Sequence, residues 1–283
     1  MKKIVFILSI LSIMAYSTML HAQTYRYIYE YQFPANITLD QFEKENMVLD
    51  INPDETKFYG YYKVETDSLN KVRNYHSSSW NESLPALKWK KGSYVNINFE
   101  LVNDDLFSYE TKDEIQWSLT KESKKIGEYT LKKATTHFGG RTWEAWYNPD
   151  IPFFEGPYKF RGLNGLIFEI SDTENLFKFS LVKSYHLPNT YDTTAFLEEF
   201  SGNKALKISE KVFRQKKAEF FNDPLRKLIQ KYKDTPKDGK STFKVLGTEI
   251  KDISQFKPLT EQTKDFLKKT YIPIEKDKAI IWK

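Results

Sequence analysis

The chain has 283 residues, no cysteine, 43 lysines and arginines against 38 aspartates and glutamates, and 16% aromatic residues. The lack of cysteine excludes disulfides, thiolate metal sites and cysteine nucleophiles, and the interspersed, nearly balanced charge argues against nucleic acid as a partner. The fold must rest on burial, for which the length is ample, and the aromatic content points to a sheet-rich protein.

Lys2 and Lys3 followed by the apolar run Ile4 to Leu20 have the pattern of a signal peptide. Cleavage after Ala22 leaves Gln23 as the mature terminus; a retained N-terminal anchor is the alternative. No cysteine follows the apolar run, so there is no lipobox. Nothing later is long and apolar enough to span a bilayer, so the mature chain is expected to be periplasmic or secreted, with no transmembrane segment.

Tyr25, Tyr27, Tyr29, Tyr31 and Phe33 alternate with Arg26, Ile28, Glu30 and Gln32, which predicts a strand with one wholly aromatic face, ended by Pro34. Thr38 and Gln41 read as the capping box of a short helix, with Ile37 stapled to Phe42. Met47 to Ile51 and Lys57 to Val64 predict a hairpin turning at Asn52-Pro53-Asp54. A Ser- and Asn-rich loop centres on Ser77 to Ser83.

Strands resume at Tyr94 to Leu101, with Val95, Ile97, Phe99 and Leu101 on one face, and continue at Leu106 to Glu110, Glu114 to Thr120, Gly127 to Thr136 and Arg141 to Tyr147. Leu166 to Ser171 and Leu176 to Tyr185 form a further hairpin. Beyond Leu187 the pattern turns helical: Leu206 to Phe221, a second helix opened by Asp223-Pro224, and Glu261 to Lys269, with Thr235 to Ser241 as a polar linker and Ile280-Ile281-Trp282 as a last strand. The expected architecture is mainly β (α+β): residues 23–283 as a single domain, with a β meander over 23–186 and a helix-rich part over 187–283. A curved antiparallel sheet, an incomplete barrel, would carry a partly helical C-terminal cover.

The most distinctive segment is Gly156-Pro157-Tyr158-Lys159-Phe160-Arg161-Gly162-Leu163-Asn164-Gly165-Leu166-Ile167. It is aromatic, Gly-rich and basic, and holds no usual nucleophile, acid or metal ligand. One reading packs Gly156, Pro157, Gly162, Leu163, Gly165 and Leu166 as a structural turn between strands. The other makes a contact site for a ligand or partner from Tyr158, Arg161 and Asn164, with Arg161 projecting towards solvent or a partner. Trp146 joins this second reading as a stacking platform on a half-exposed face, while Trp143 belongs to the core.

His76, His137 and His186 are too scattered to read as a metal site, and no serine stands in a GxSxG context. Asp150, Glu155, Glu169 and Asp172 would suit acid–base work if paired, but charged residues at strand ends are ordinarily solvated. No cofactor is implied. Asp67-Ser68-Leu69 and Asp192-Thr193-Thr194 resemble O-glycosylation acceptor triplets.

The signature segment resembles that of the GLPGLI family, secreted Bacteroidetes proteins with no assigned activity. The resemblance extends to Leu49-Asp50-Ile51, Phe58-Tyr59, Trp117-Ser118-Leu119, Ile126-Gly127-Glu128-Tyr129, Gly140 to Tyr147 and Asp150-Ile151-Pro152. Asn164 stands where the family has its central proline. The expected function is non-enzymatic: an envelope protein that carries or binds a hydrophobic ligand or a segment of an envelope protein. The carrier reading expects an apolar pocket open to solvent. The alternatives are an accessory protein of an outer-membrane complex, which would show a flat exposed aromatic patch without a cavity, and an envelope hydrolase, which would need polar groups converging in one cleft.

Overall fold

The computed structural model describes residues 23–74, 83–236 and 241–281. The signal peptide expected over 1–22, most of the Ser/Asn-rich loop and Trp282 lie outside the described residues. Eleven longer strands are β1 (Thr24–Pro34), β2 (Phe42–Ile51), β3 (Glu55–Gly60), β4 (Ala86–Lys90), β5 (Val95–Val102), β6 (Asp105–Lys112), β7 (Ser118–Ile126), β8 (Tyr129–Phe138), β9 (Arg141–Asn148), β10 (Leu166–Asp172) and β11 (Lys178–Leu187). The helices are α1 (Tyr62–Arg73), α2 (Glu210–Asn222), α3 (Arg226–Asp234) and α4 (Phe256–Thr270).

The strands form one sheet of twelve, in the order Leu206–Lys207, β6, β5, β4, β3, β2, β1, β11, β10, β9, β8, β7. Two antiparallel meanders, β1–β6 and β7–β11, meet where β1 pairs with β11. The short strand Leu206–Lys207 runs parallel to β6, so the sheet is mixed rather than purely antiparallel.

The connectivity requires strong curvature. β6 ends at Lys112 and β7 starts at Ser118. That stretch of chain reaches about 22 Å at most. In a flat sheet, the strands between β6 and β7 would hold them roughly 48 Å apart. The sheet must therefore curl until its two sides approach, while its edge strands stay unpaired and the barrel stays open.

The aromatic face expected for β1 lines the interior. Tyr27, Tyr29 and Tyr31 share the main core with Leu49, Phe58, Trp89, Leu131, Trp143, Ile170 and Phe179, contributed by strands all round the sheet. The opposite face is covered as well. Val48, Tyr59, Ala86, Phe99 and Leu106 pack with Leu197 in a second core. Arg26, on the polar side of the β1 pattern, is buried there. Its Nε and one terminal nitrogen donate to the two Asp50 carboxylate oxygens at 2.6 Å, and the Tyr191 ring lies 4.3 Å over its guanidinium. β5 shows the same two-sidedness: Phe99 faces the second core, while Asn96 and Asn98 are almost fully buried on the other face.

Several local expectations are corrected. Residues 35–41 form turns, not a capped helix: the Thr38 hydroxyl bonds the side chains of Asn36 and Asp40, Leu39 takes φ +59°, and Ile37 is exposed rather than stapled. The second hairpin strand stops at Gly60 and gives way to α1, which buries only Lys63. β4 has no counterpart in the sequence reading. Leu206 and Lys207 extend the sheet, and α2 starts later, where the Ser209 hydroxyl accepts from the Val212 amide. Asp223 closes α2 instead of opening α3, and Ile280 and Ile281 form no strand. Of the glycosylation-like triplets, Ser68 is exposed on α1 but Thr193 is fully buried.

Candidate functional site

The signature segment fills the curled sheet. Glu155 to Arg161 are all buried. The Phe160 ring lies 4.6 Å from Trp143, 5.6 Å from Phe138 and 6.4 Å from Phe179, so one side chain touches β8, β9 and β11. Tyr158 and Leu163 belong to the same core. The segment folds back on itself: the Gly162 amide donates to the Phe154 carbonyl (2.8 Å) and the Ile167 amide to the Glu155 carbonyl (3.1 Å). The Tyr29 hydroxyl donates to the Ile167 carbonyl across the core (2.6 Å).

The glycines have separate reasons. Gly165 has φ +144°, and a Cβ there would stand 2.2 Å from the Asn148 carbonyl oxygen. Gly162 has φ +98°, but a Cβ there would make only ordinary contacts, 3.8 Å from the Tyr94 hydroxyl and 3.9 Å from Trp117 Nε1.

One end of the interior is stoppered by the C-terminal stretch that follows α4. Ile274 enters the main core. Arg141 Nε donates to the Ile274 carbonyl (3.0 Å), and its guanidinium pairs with the buried Asp172 (3.0 Å). Glu275 points inward to Lys159 of the signature (2.7 Å), which also pairs with Asp113 (3.0 Å). The Tyr158 hydroxyl donates to Glu275. Burial alone would raise the Asp113 carboxyl, yet Lys159, Thr111 and Lys278 hold it down at about 2. Glu275 is likewise held below its ordinary value, against its burial, by Lys159 and Lys278. A hollow of about 420 Å³ remains at this end; among its charged lining residues, Lys217 and Glu100 pair with each other.

The other end is open. A cleft of about 770 Å³ lies where the start of β1, the β2–β3 turn, the β4–β5 turn and the entry to the signature converge. Its walls are aromatic: Tyr25, Tyr94, Phe153 and Phe154, with Tyr25 and Phe153 in ring contact at 4.9 Å. Its polar lining includes Asn52, Thr56, Glu155 and Arg161, with Lys91 exposed beside them.

Arg161 is held in place from below. Its Nε and one terminal nitrogen donate to the Ser93 carbonyl (3.1 and 2.9 Å), and the other terminal nitrogen to Asn96 Oδ1 (2.9 Å). Its guanidinium stacks 4.7 Å from the Trp89 ring. Asn96, on the polar side of β5, is thus buried because it anchors the signature.

Glu155 accepts from Trp89 Nε1 (3.1 Å) and weakly from the Thr56 hydroxyl (3.4 Å). Burial pushes its carboxyl up to about 7, against the pull of Arg161, Trp89, Thr56 and Lys91. An acid raised by folding keeps its proton in the native state while the unfolded chain releases it. Stability therefore falls as pH rises from about 4.5 to about 7, and the full penalty, about 3 kcal/mol, persists above that window. Glu155→Gln is expected to raise the melting temperature near pH 8, to leave it unchanged near pH 4, and to flatten the slope between them. A variant that is no more stable than wild type at the alkaline end would contradict a buried, unpaired carboxyl.

Only one of the four contact candidates lies at the cleft. Arg161 lines it, but as a buried, hydrogen-bonded group and not one projecting into solvent. Tyr158 is buried at the stoppered end. Trp146 lies on the outer face under Lys124 (4.5 Å) and Lys133 (5.8 Å). Asn164 is exposed on its turn, away from the cleft lining. Of the structural residues, Gly156, Pro157, Leu163, Gly165 and Leu166 are buried, and Gly162 forms part of the cleft rim.

Of the four carboxylates expected to be solvated, Glu155 and Asp172 are buried. Asn52, Tyr94 and Phe154 were not singled out by the sequence reading. The turn signal at Asn52-Pro53 was the only hint that such residues gather. Among the described residues no group of three or more His, Asp or Glu is placed to hold a metal ion, and no helix is long and apolar enough to cross a membrane.

A family model described as "Protein of unknown function (Porph_ging)" matches residues 138–169, from the end of β8 through the signature into β10. No curated protein matches the sequence. Two solved structures of PNGF-II, in the C2 and P21 space groups, resemble the fold with a TM-score of 0.50 and 16% identity over 69% of this chain. This chain spans about a third of the length of those structures, 32% and 33%. At that identity the likeness is one of fold alone.

Proposed function

We propose that this chain is an exported, non-catalytic binding protein of the cell envelope, of GLPGLI type, that takes up a hydrophobic ligand at the open end of its curled sheet. The observation that carries this reading is the aromatic cleft of about 770 Å³, within the size range of small-molecule sites. The interior is not an empty carrier cavity, because the signature occupies it. Binding is therefore assigned to the mouth and not to the lumen. The cleft is lined by one carboxyl, Glu155, and by no histidine. The hydrolase alternative would need a second proton-transfer group or an activated nucleophile beside it.

The uncharged fluorophore N-phenyl-1-naphthylamine tests the reading. Saturable fluorescence enhancement with one site per chain is expected. Phe154→Ala removes an exposed wall residue whose loss does not open the core, and it should weaken binding roughly fivefold or more. Absence of saturable binding, or equal affinity in Phe154→Ala, would refute the assignment.

A further inference from the structure

Resting on the binding reading above, we infer that the cleft selects a ligand whose flat apolar body ends in a single anionic group, a carboxylate or sulfonate received by Asn52, Arg161 and Lys91. Asn52 is 5% exposed and lines the cleft, and its Nδ2 is buried without a hydrogen-bond partner. The other end of the same amide is already engaged: Asn52 Oδ1 accepts from the Thr24 hydroxyl at 2.6 Å. A buried amide donor left unmatched is costly, so the site calls for an acceptor from outside the chain.

Arg161 supplies a second unmet demand. A guanidinium has five N–H donors. Three hydrogen bonds fix it to Ser93 and Asn96, and among the described residues its remaining N–H groups have no acceptor. It feels the charge of Glu155, which lines the same cleft.

The charge balance favours an anion. The charged groups that line the cleft are Lys91, Arg161 and Glu155. The groups acting on Glu155 are Arg161, the Trp89 N–H, the Thr56 hydroxyl and Lys91, and the Tyr29 phenol also lies within reach of its charge. Even when ionised, Glu155 offsets only one of the two cations. The flat rings of Tyr25, Tyr94, Phe153 and Phe154 provide stacking surfaces for an aromatic or otherwise planar body.

Two probes of similar shape separate this inference from the reading on which it rests: 8-anilinonaphthalene-1-sulfonate, which is anionic, and N-phenyl-1-naphthylamine, which is not. Both are titrated near pH 8 into the full chain and into Lys91→Met, Glu155→Gln and Phe154→Ala, each first shown by thermal melting to be folded. Lys91→Met should weaken the sulfonate roughly fivefold and leave the neutral probe unchanged. Glu155→Gln should tighten the sulfonate by a similar factor and again spare the neutral probe. Phe154→Ala should weaken both.

If Phe154→Ala weakens both probes while the two charge variants change neither, or change both equally, the cleft binds apolar bodies without reading charge. The inference then falls and the binding reading stands. If neither probe is sensitive to Phe154→Ala, both fall.

Discussion

Gly165→Ala is expected to cost about 4 kcal/mol, a large share of the roughly 5–15 kcal/mol that holds a typical domain folded. Two penalties combine at this position. The residue has φ +144°, a conformation that side chains other than glycine rarely adopt, and the new Cβ would sit 2.2 Å from the Asn148 oxygen, 2.6 Å from its carbonyl carbon and 2.8 Å from Pro149 Cα. These neighbours are backbone, at the end of β9 and the turn after it, so they cannot swing aside. Gly162→Ala carries the strain without the collision and should cost only about 1–2 kcal/mol.

Arg161→Ala completes the series. The sequence alone suggests a solvent-facing side chain whose loss is harmless. The buried guanidinium bonded to Ser93 and Asn96 instead predicts a loss of about 3 kcal/mol. Urea denaturation midpoints give the ordering directly. Equal shifts for Gly165→Ala and Gly162→Ala would mean that the signature does not pack against β9 as described.

Lys159→Met is expected to cost about 3–5 kcal/mol at neutral pH, because it strands two buried carboxylates that share one ammonium. Lys159 lies 2.7 Å from Glu275 and 3.0 Å from Asp113, and all three side chains are nearly inaccessible. Lys278 remains near both carboxylates but is one-third exposed, so it compensates only in part.

The pH dependence identifies the cause. A carboxylate depressed by folding contributes stability above its unfolded pKa, and that contribution is lost as pH falls through the folded value, about 2 for Asp113. Wild type should therefore hold this contribution well into acid. In Lys159→Met both carboxyls lose their depression, so the difference from wild type should shrink steadily below about pH 4. A pH-independent difference would point to lost packing by the lysine stem instead. Because Glu275 tethers the C-terminal stopper, limited proteolysis should also cut Lys159→Met near residues 271–281 sooner than wild type.

Where one face of an element is buried, the sequence is an adequate guide. The alternation at Tyr27, Tyr29 and Tyr31 predicts β1, its bounds and its inward face, because period two is the only arrangement that puts all the tyrosine rings on one side. After Val95, β5, β6, β8, β9, β10 and β11 appear within a few residues of their predicted positions for the same reason, whereas the strand expected over Glu114 to Thr120 is displaced to Ser118–Ile126.

The pattern misleads where both faces are covered. Arg26 and Asp50 look like a solvent face until the stretch around Tyr191 and Leu197 covers them. The polar side of β5 likewise looks solvated because nothing local reveals that Asn96 receives Arg161 from 65 positions away. Helix α1 leaves little trace in the sequence, as its apolar residues Leu69 and Val72 stay exposed.

Half of the candidate site was legible. The Gly-rich, basic signature was recognisable as the distinctive part of the chain, but its dominant role is to fill the curled sheet. The cleft is assembled from separate turns at Asn52-Pro53 and at Lys91 to Tyr94, together with the Phe153-Phe154-Glu155 run. Only the closure of the sheet brings these together. Glu155 illustrates the limit: a glutamate beside a Pro-containing turn reads as solvated, and only Trp89 and Thr56 closing over it make it a buried acid.

The most direct test of this account is amide hydrogen–deuterium exchange of the full chain with and without saturating N-phenyl-1-naphthylamine. The predicted result is slower exchange confined to the four segments that line the cleft, residues 23–25, 51–56, 91–94 and 152–162, with the signature beyond Gly165 already slow and unchanged. Protection confined to residues 266–280 at the stoppered end, or no change at the cleft segments under saturating probe, would contradict the assignment of the open mouth as the binding site.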